Sequence, residues 1–228
     1  MPFELLKIPK PIGCRIVKRL NRFVVEVFVE GRIEKAYVNN TGRLKELLFK
    51  GNRGECIEKS TGKTRYRLFA VACEGGYALI DTQYQMRAFE MALSRIDWIE
   101  CDAFRRNVHV FDSVIDYQFF CNTKTFVELK SAAMKVGKYA MYPDCPTARG
   151  RRHVKTMMKL VESGKRAVIT FIASVPSVKA FKPNRDADPD LYNLLVESIN
   201  SGVEVKAVNI VYSDRSIRLV NPDLPVEI

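Results

Sequence analysis

Ser113-Val114-Ile115-Asp116, followed a short interval later by Val127-Glu128-Leu129-Lys130-Ser131, is the segment on which the assignment of architecture turns. It lies in two β-type runs, Val108–Phe120, broken near Asp112-Ser113, and Thr125–Ser131, joined by a tight connection around Asn122-Thr123. In a strand, residues i and i+2 leave the same face, so Glu128 and Lys130 point one way and Leu129 goes into the core behind them. Asp116 shares that face only if it sits opposite residue 128 or 130. That register requires a loop of odd length, such as Cys121–Thr123, or a bulge. A two-residue loop at 122–123 would instead pair Asp116 with Leu129 and turn the two acids to opposite faces.

Two carboxylates on one face are hard oxygen ligands suited to Mg²⁺ or Mn²⁺, with waters and the Leu129 carbonyl available to fill the shell. Lys130 beside such an ion would orient an attacking water and offset charge developing on a phosphodiester. Asp116, Glu128 and Lys130 are therefore the candidate catalytic residues, and Asp116 and Glu128 the candidate metal ligands. The acid-x-Lys pattern alone carries no weight. Composition predicts roughly two such triplets by chance in a chain of this charge content. Glu128-Leu129-Lys130 and Glu204-Val205-Lys206 are the two present. Only the first has an Asp-bearing strand before it.

Downstream, a helix is expected over Ala148–Glu162, capped by Thr147 and stopped by Gly164. Val154, Met157, Met158 and Val161 form its apolar stripe, leaving Arg152, Lys155 and Lys159 on a separate face, either for phosphates or simply solvated. Arg149 and His153, four apart, share a further side that can look toward the acids. With His109, His153 makes too sparse a set for zinc. A helix over Thr82–Ile99, a continuous apolar strand Ala167–Ser174, a Pro- and charge-rich loop Lys179–Pro189, a helix Asp190–Ser201 and a strand Val203–Tyr212 complete the pattern. Strands alternating with helices predict a mixed sheet with helices on its faces, an α/β domain over residues 81–228.

Residues 1–80 read differently. They carry 16 Lys and Arg against 8 Asp and Glu, a net of +8 within a total of +11. Such an asymmetry is the electrostatic footprint of a phosphate-backbone partner, or else a solvated basic surface. Short β-type runs at Cys14–Leu20, Arg22–Val29, Ile33–Val38, Cys56–Glu58, Thr64–Cys73 and Tyr77–Ile80 surround an expected short helix, Arg43–Phe49. This suits a small β-barrel of the oligonucleotide-binding (OB) type. Arg22, Arg43, Arg65 and Arg67 are its candidate nucleic-acid contacts, with Arg149, Arg152 and Lys155 from the second domain. Tyr37 and Tyr66 serve either stacking or the barrel core.

The six cysteines, Cys14, Cys56, Cys73, Cys101, Cys121 and Cys145, never approach C-x-x-C spacing and read as reduced, buried thiols. The N-terminus lacks a leader pattern and no long apolar stretch occurs, so a cytoplasmic chain without membrane contact is expected.

Beyond these patterns, the chain resembles the bacterial and archaeal sugar fermentation stimulation proteins. The likeness is carried by Leu20-Asn21-Arg22-Phe23, Asn40-Thr41-Gly42-Arg43-Leu44, Val127 to Ser131, Tyr142-Pro143-Asp144 with Thr147, Arg149-Gly150 and His153, then Gly164 to Val168 and Phe181-x-Pro183 with Asp188-Pro189. The resemblance implies an OB-type barrel followed by a domain like the PD-(D/E)xK nucleases, with DNA as partner. By position it makes Asp116, Glu128 and Lys130 the nuclease-type triad. Asn39, Val114, Ala148 and Asn107 stand where that pattern has Pro, Arg, Glu and an acidic residue, departures that bear on turnover more than on binding. Three readings stay open: DNA binding without obligatory cutting, a metal-dependent nuclease, and a non-catalytic scaffold.

Overall fold

The computed structural model describes every residue except Met1, Glu100, Asp102 and Cys121. Strand β1 (Phe3–Lys7) precedes a barrel of β2 (Ile12–Arg19), β3 (Val24–Val29), β4 (Arg32–Val38), β5 (Arg53–Glu58) and β6 (Tyr66–Cys73). Antiparallel pairs β2/β3, β3/β4, β2/β5 and β5/β6 are closed by a parallel β4/β6 contact, the strand order of an OB barrel. Strand β3 alternates, as Val25, Val27 and Val29 turn into the barrel core while Phe28 stays outside. Tyr66 is fully buried, which assigns it to that core rather than to a stacking surface. Tyr37 is half-buried on the outer side.

The hairpin β6–β7 (Gly76–Leu79) carries the chain into the second domain, where β7 meets β15 at Tyr77 opposite Tyr212. That domain runs α1 (Thr82–Ala92), β8 (Phe104–Val110), β9 (Ser113–Phe119), β10 (Thr125–Ala132), β11 (Met134–Val136), β12 (Tyr139–Tyr142), α2 (Ala148–Glu162), β13 (Arg166–Ala173), β14 (Ala180–Pro183), α3 (Pro189–Asn200), β15 (Glu204–Ser213) and β16 (Ser216–Asn221). Parallel β10, β13 and β15 form the centre of the sheet, and antiparallel β9 and β8 extend one edge. Helix α1 buries Ala88, Phe89 and Ala92 on one face of the sheet. Helices α2 and α3 bury Val154, Met157, Leu160, Leu191 and Leu195 on the other. This is the mixed sheet with helices on both faces expected for the second domain.

Several expectations fail for identifiable reasons. Arg43–Phe49 is a set of turns, not a helix. Leu44 takes a left-handed conformation (φ 49°) and its amide is held by Asp144, while Leu47 and Leu48 both donate to the Leu44 carbonyl. Helix α1 ends at Ala92 and gives way to a 3₁₀ turn at Leu93–Arg95, although Ile96 and Ile99 remain buried. The loop Lys179–Pro189 contains β14, which pairs in parallel with β12 in a small separate sheet. Strands β1 and β16 were not anticipated. They pair with each other, and β16 also with β15, so the first strand of the chain completes the second domain's sheet. Cys101 is disulfide-bonded, against the expectation that all six cysteines are reduced; Cys14, Cys56, Cys73 and Cys145 are free, and Cys121 lies outside the described residues.

Candidate nucleic-acid and metal site

The register of β9 on β10 decides whether the acids meet. Val127 pairs with Tyr117 and Thr125 with Phe119, so Asp116 falls opposite Glu128, as an odd-length loop requires. Regular pairing stops there. Leu129 N–H donates to the Asp116 carboxylate at 2.8 Å and Asp116 N–H donates to Glu128 Oε2 at 3.3 Å. The strands splay, and each freed amide is taken by the neighbouring acid's side chain, which fixes both carboxylates on the α2 side of the sheet. The β8 partner also breaks at this level, with Asn107 in the left-handed region (φ 53°).

Helix α2 supplies the opposite wall. Thr147 caps it by accepting from Gly150 N–H at 3.0 Å. Gly150 is needed here, since a Cβ would lie 2.7 Å from Thr147 Cγ2 and 2.9 Å from the Tyr142 hydroxyl. Three residues on, His153 is 2% exposed and its Nδ1 contacts Glu128 Oε1. Lys130 Nζ donates to the same oxygen at 2.6 Å. Arg149 Nε donates to His153 Nε2 at 3.4 Å; because arginine cannot accept, the ring proton sits on Nδ1, where it donates to Glu128. The chain's sparse histidines thus include one built into the site, as a partner of the acid.

Charge follows from this packing. Burial, and then repulsion from Glu128, pushes Asp116 up to about 7. Burial also works to raise Glu128, but Lys130 and His153 outweigh it and hold that carboxyl below its ordinary value. For Lys130 burial works downward, and Glu128 first among its neighbours overcomes it, keeping the ammonium firmly charged. Among the described residues Asp116 has no hydrogen bond on one carboxylate oxygen while the other holds Leu129 N–H, and it faces a second carboxylate whose charge opposes its own. A hard cation between them would relieve that repulsion, so the donors fit a divalent ion of the Mg²⁺ type that completes its shell with water. No group of three or more His, Cys, Asp or Glu able to hold a metal occurs among the described residues.

Asp116, Glu128, Lys130 and Arg149 line a cleft of about 640 Å³ between barrel and second domain. The barrel side is the loop Asn40–Leu44, locked onto Tyr142-Pro143-Asp144: Asp144 accepts from Leu44 N–H at 2.6 Å, and a Cβ on Gly42 would lie 2.9 Å from the same carboxylate. Asn40 Nδ2 bridges to the Ile80 carbonyl at 3.0 Å. Of the expected nucleic-acid contacts, Arg22 and Arg149 line this cleft, and Arg43 is exposed at its edge. Arg152 and Lys155 are exposed on α2. Arg65 is committed to Glu58 at 2.8 Å. Arg67 forms a two-pronged pair with the fully buried Asp81, which caps α1; its role is to brace the junction, not to meet a phosphate.

A family model described as the sugar fermentation stimulation protein RE domain matches residues 83–216, and one described as the SfsA N-terminal OB domain matches residues 17–80. The chain belongs to the sugar fermentation stimulation protein family. A homolog from Archaeoglobus fulgidus is 54% identical over 99% of this chain and 100% of its own, and one from Pyrococcus furiosus is 42% identical over 91% and 92%. A solved structure of the Pyrococcus furiosus family protein in complex with Ca²⁺ superposes with a TM-score of 0.95 at 40% identity, covering 99% of this chain and 100% of that one. Of the four positions at which the resemblance expects a different residue, Asn39 and Ala148 line the cleft. Asn39 offers its carbonyl to Thr82 Oγ1 at 2.9 Å, helping to hold α1 to the barrel, and Ala148 is an exposed first-turn residue of α2.

Sequence reasoning assigned no role to Arg19. Its guanidinium donates to the carbonyls of Asn21, Arg22, Asn40, Gly42 and Arg43, stitching the β2–β3 turn to the cleft loop. Nothing in a β-type run distinguishes such an arginine from a solvated one. Among the described residues no helix is long and apolar enough to cross a membrane.

Proposed function

We infer that this chain binds nucleic acid, DNA in particular, across the cleft between its barrel and its α/β domain, around a divalent-cation site of nuclease type. The observation that carries this reading is the convergence of Asp116, Glu128 and Lys130 in one cleft that Arg22 and Arg149 also line. Asp116 and Glu128 would hold a Mg²⁺ or Mn²⁺ ion, which when bound polarises a phosphoryl oxygen and acidifies a water. Lys130 stays charged beside the scissile phosphate, Arg149 offers a second cation, and His153 keeps Glu128 aimed across the cleft. The Ca²⁺ complex of the Pyrococcus furiosus relative supports a hard-cation site in this fold.

Cleavage of plasmid and oligonucleotide DNA in Mn²⁺, with a chelator control and the variants Asp116→Ala and Lys130→Ala, tests the hydrolytic part. Turnover that disappears in chelator and in both variants is the expected result; turnover surviving both substitutions would refute it. A second reading, binding without turnover, is favoured by the occupation of Glu128 Oε1 by both Lys130 and His153. Either way, affinity for DNA should fall steeply with salt, because phosphate neutralisation releases counterions. An affinity flat in salt would exclude the electrostatic basis of both.

A further inference from the structure

Outside the cleft, the barrel carries a group of side chains that neither the core nor the acidic site explains. Phe23 is 46% exposed at the end of the β2–β3 turn and belongs to neither hydrophobic core. Its ring lies near-parallel to that of Tyr37, with planes 17° apart and centroids separated by 6.5 Å. Lys59 Nζ stands 5.1 Å from the Tyr37 centroid. It comes from the β5–β6 loop, which also bears Lys63. Single exposed apolar residues are ordinary on any surface. A stacked pair of rings roofed by a cation, beside a cleft that Arg22 and Arg149 line, is a narrower observation.

Two features show that this group is held in place and continuous with the cleft. Phe23 N–H donates to Asn21 Oδ1 at 2.9 Å, an Asx turn that fixes the backbone from which the ring projects. Arg19 then ties the Asn21 and Arg22 carbonyls to those of Gly42 and Arg43 on the cleft wall. On the other side, the Tyr37 hydroxyl donates to Asn39 Oδ1 at 3.3 Å. Arg22 and Asn39 both line the cleft, so each ring is one step from it.

We propose that Phe23 and Tyr37, with Lys59, form a stacking platform for unpaired bases, so that the nucleic acid entering the cleft is single-stranded or carries a single-stranded tail. This rests on the nucleic-acid reading of the cleft and names its substrate class. The chemistry is general. A flat ring face accepts any base, while paired bases in a duplex already stack on one another and present only edges and phosphates to a protein. Lys59 and Arg22 neutralise the phosphates flanking the stacked bases, and no edge-reading group is needed.

The experiment measures binding of the full chain, in metal-free buffer, to three probes: an oligothymidine of about 16 nucleotides, the upper site size of one barrel, a blunt duplex of equal length, and that duplex with a thymidine tail. The wild-type protein should prefer the oligothymidine and the tailed duplex to the blunt one. Phe23→Ala should weaken the first two by roughly tenfold and leave the blunt duplex unchanged. Phe23→Trp should retain the preference and add a fluorescence signal, over that of the single native Trp98, that quenches on oligothymidine binding. Equal loss on all probes, or no loss in Phe23→Ala, overturns the platform while leaving the cleft reading intact. Absence of salt-dependent binding to every probe overturns both.

Discussion

The two acid-x-Lys triplets lie on parallel strands separated by a single strand, β10 and β15 on either side of β13. Their sequences, Glu128-Leu129-Lys130 and Glu204-Val205-Lys206, are indistinguishable as patterns. Glu128 and Lys130 have side chains 3% and 10% exposed and bond to each other at 2.6 Å. Glu204 and Lys206 are 39% and 30% exposed and pair with other residues: Arg166 takes Glu204 at 2.7 Å, and Asp223 takes Lys206 at 3.5 Å. The difference is made by what packs above. The first triplet faces a splayed strand carrying Asp116 and a helix whose close approach at Gly150 brings His153 and Arg149 down onto it. The second has ordinary surface partners. A short motif acquires chemistry only when other elements remove it from water.

The contrast is broken most severely at Lys130. Removing its ammonium leaves Glu128 buried with His153 as its remaining side-chain donor, and an uncompensated buried charge costs about 3–5 kcal/mol. Lys130→Ala should therefore lower unfolding free energy by about that amount in metal-free denaturant titrations. The cost should shrink when a divalent cation is added, since an ion bound to the folded state replaces part of the missing charge.

The pH dependence of Asp116 sharpens the same comparison with the opposite sign. Its carboxyl titrates near 7 in the folded chain against an ordinary 3.8. Below about pH 4 both folded and unfolded chains hold the proton, so the group contributes nothing. Between about pH 4 and 7 the folded chain keeps a proton that the unfolded chain has released. Stability thus falls as pH rises through that window, by up to about 4 kcal/mol. Asp116→Asn keeps an acceptor for Leu129 N–H and removes the charge. In chelator at pH 8 it should be more stable than the wild type, with the gap closing toward pH 4; in millimolar Mn²⁺ the order should narrow or reverse. Glu204, held below its ordinary value by the Arg166 hydrogen bonds, should show no such inversion when changed to Gln.

Which parts of this were legible beforehand follows physical lines. Helix α2 was readable to the residue because its signals are local: a Thr147 cap, an apolar stripe and a terminal glycine. The placement of Asp116 opposite Glu128 was readable only as a condition on loop length, because strand register is set by the connection and not by the strands. Strand β1 was invisible because its partner β16 lies at the opposite end of the chain; β16 also forms a local hairpin with β15 that the sequence reading missed. The Arg43–Phe49 segment looked helical by composition, but Asp144, a hundred residues away, holds the Leu44 amide in a conformation no helix allows. His153 lay within view as an i+4 partner of Arg149; its contact with Glu128 depended on how far α2 descends.

That descent has its own test. Ala at position 150 would gain about 1 kcal/mol in helix propensity, yet its Cβ would sit under 3 Å from both Thr147 Cγ2 and the Tyr142 hydroxyl. Overpacking of this kind costs about 1–3 kcal/mol. Gly150→Ala should therefore be destabilising on balance by about 1 kcal/mol. By lifting α2 it should also weaken the contact between His153 and Glu128, seen as a changed imidazole resonance. A neutral or stabilising outcome would mean the helix can yield without disturbing the site.

The smallest effect belongs to the second triplet. Lys206 is 30% exposed and its partner Asp223 is 65% exposed at 3.5 Å, so water competes for both charges and salt screens what remains. Exposed pairs of this geometry contribute about 0–1 kcal/mol. Lys206→Ala should change stability by no more than that, in the presence or absence of divalent cation, and should leave nucleic-acid binding where it was. The absence of a metal effect is the informative part. If Lys206→Ala and Lys130→Ala responded alike to Mn²⁺, the cation would be acting on the sheet as a whole, and the convergence of Asp116 on Glu128 would lose its claim to be what separates one acid-x-Lys triplet from the other.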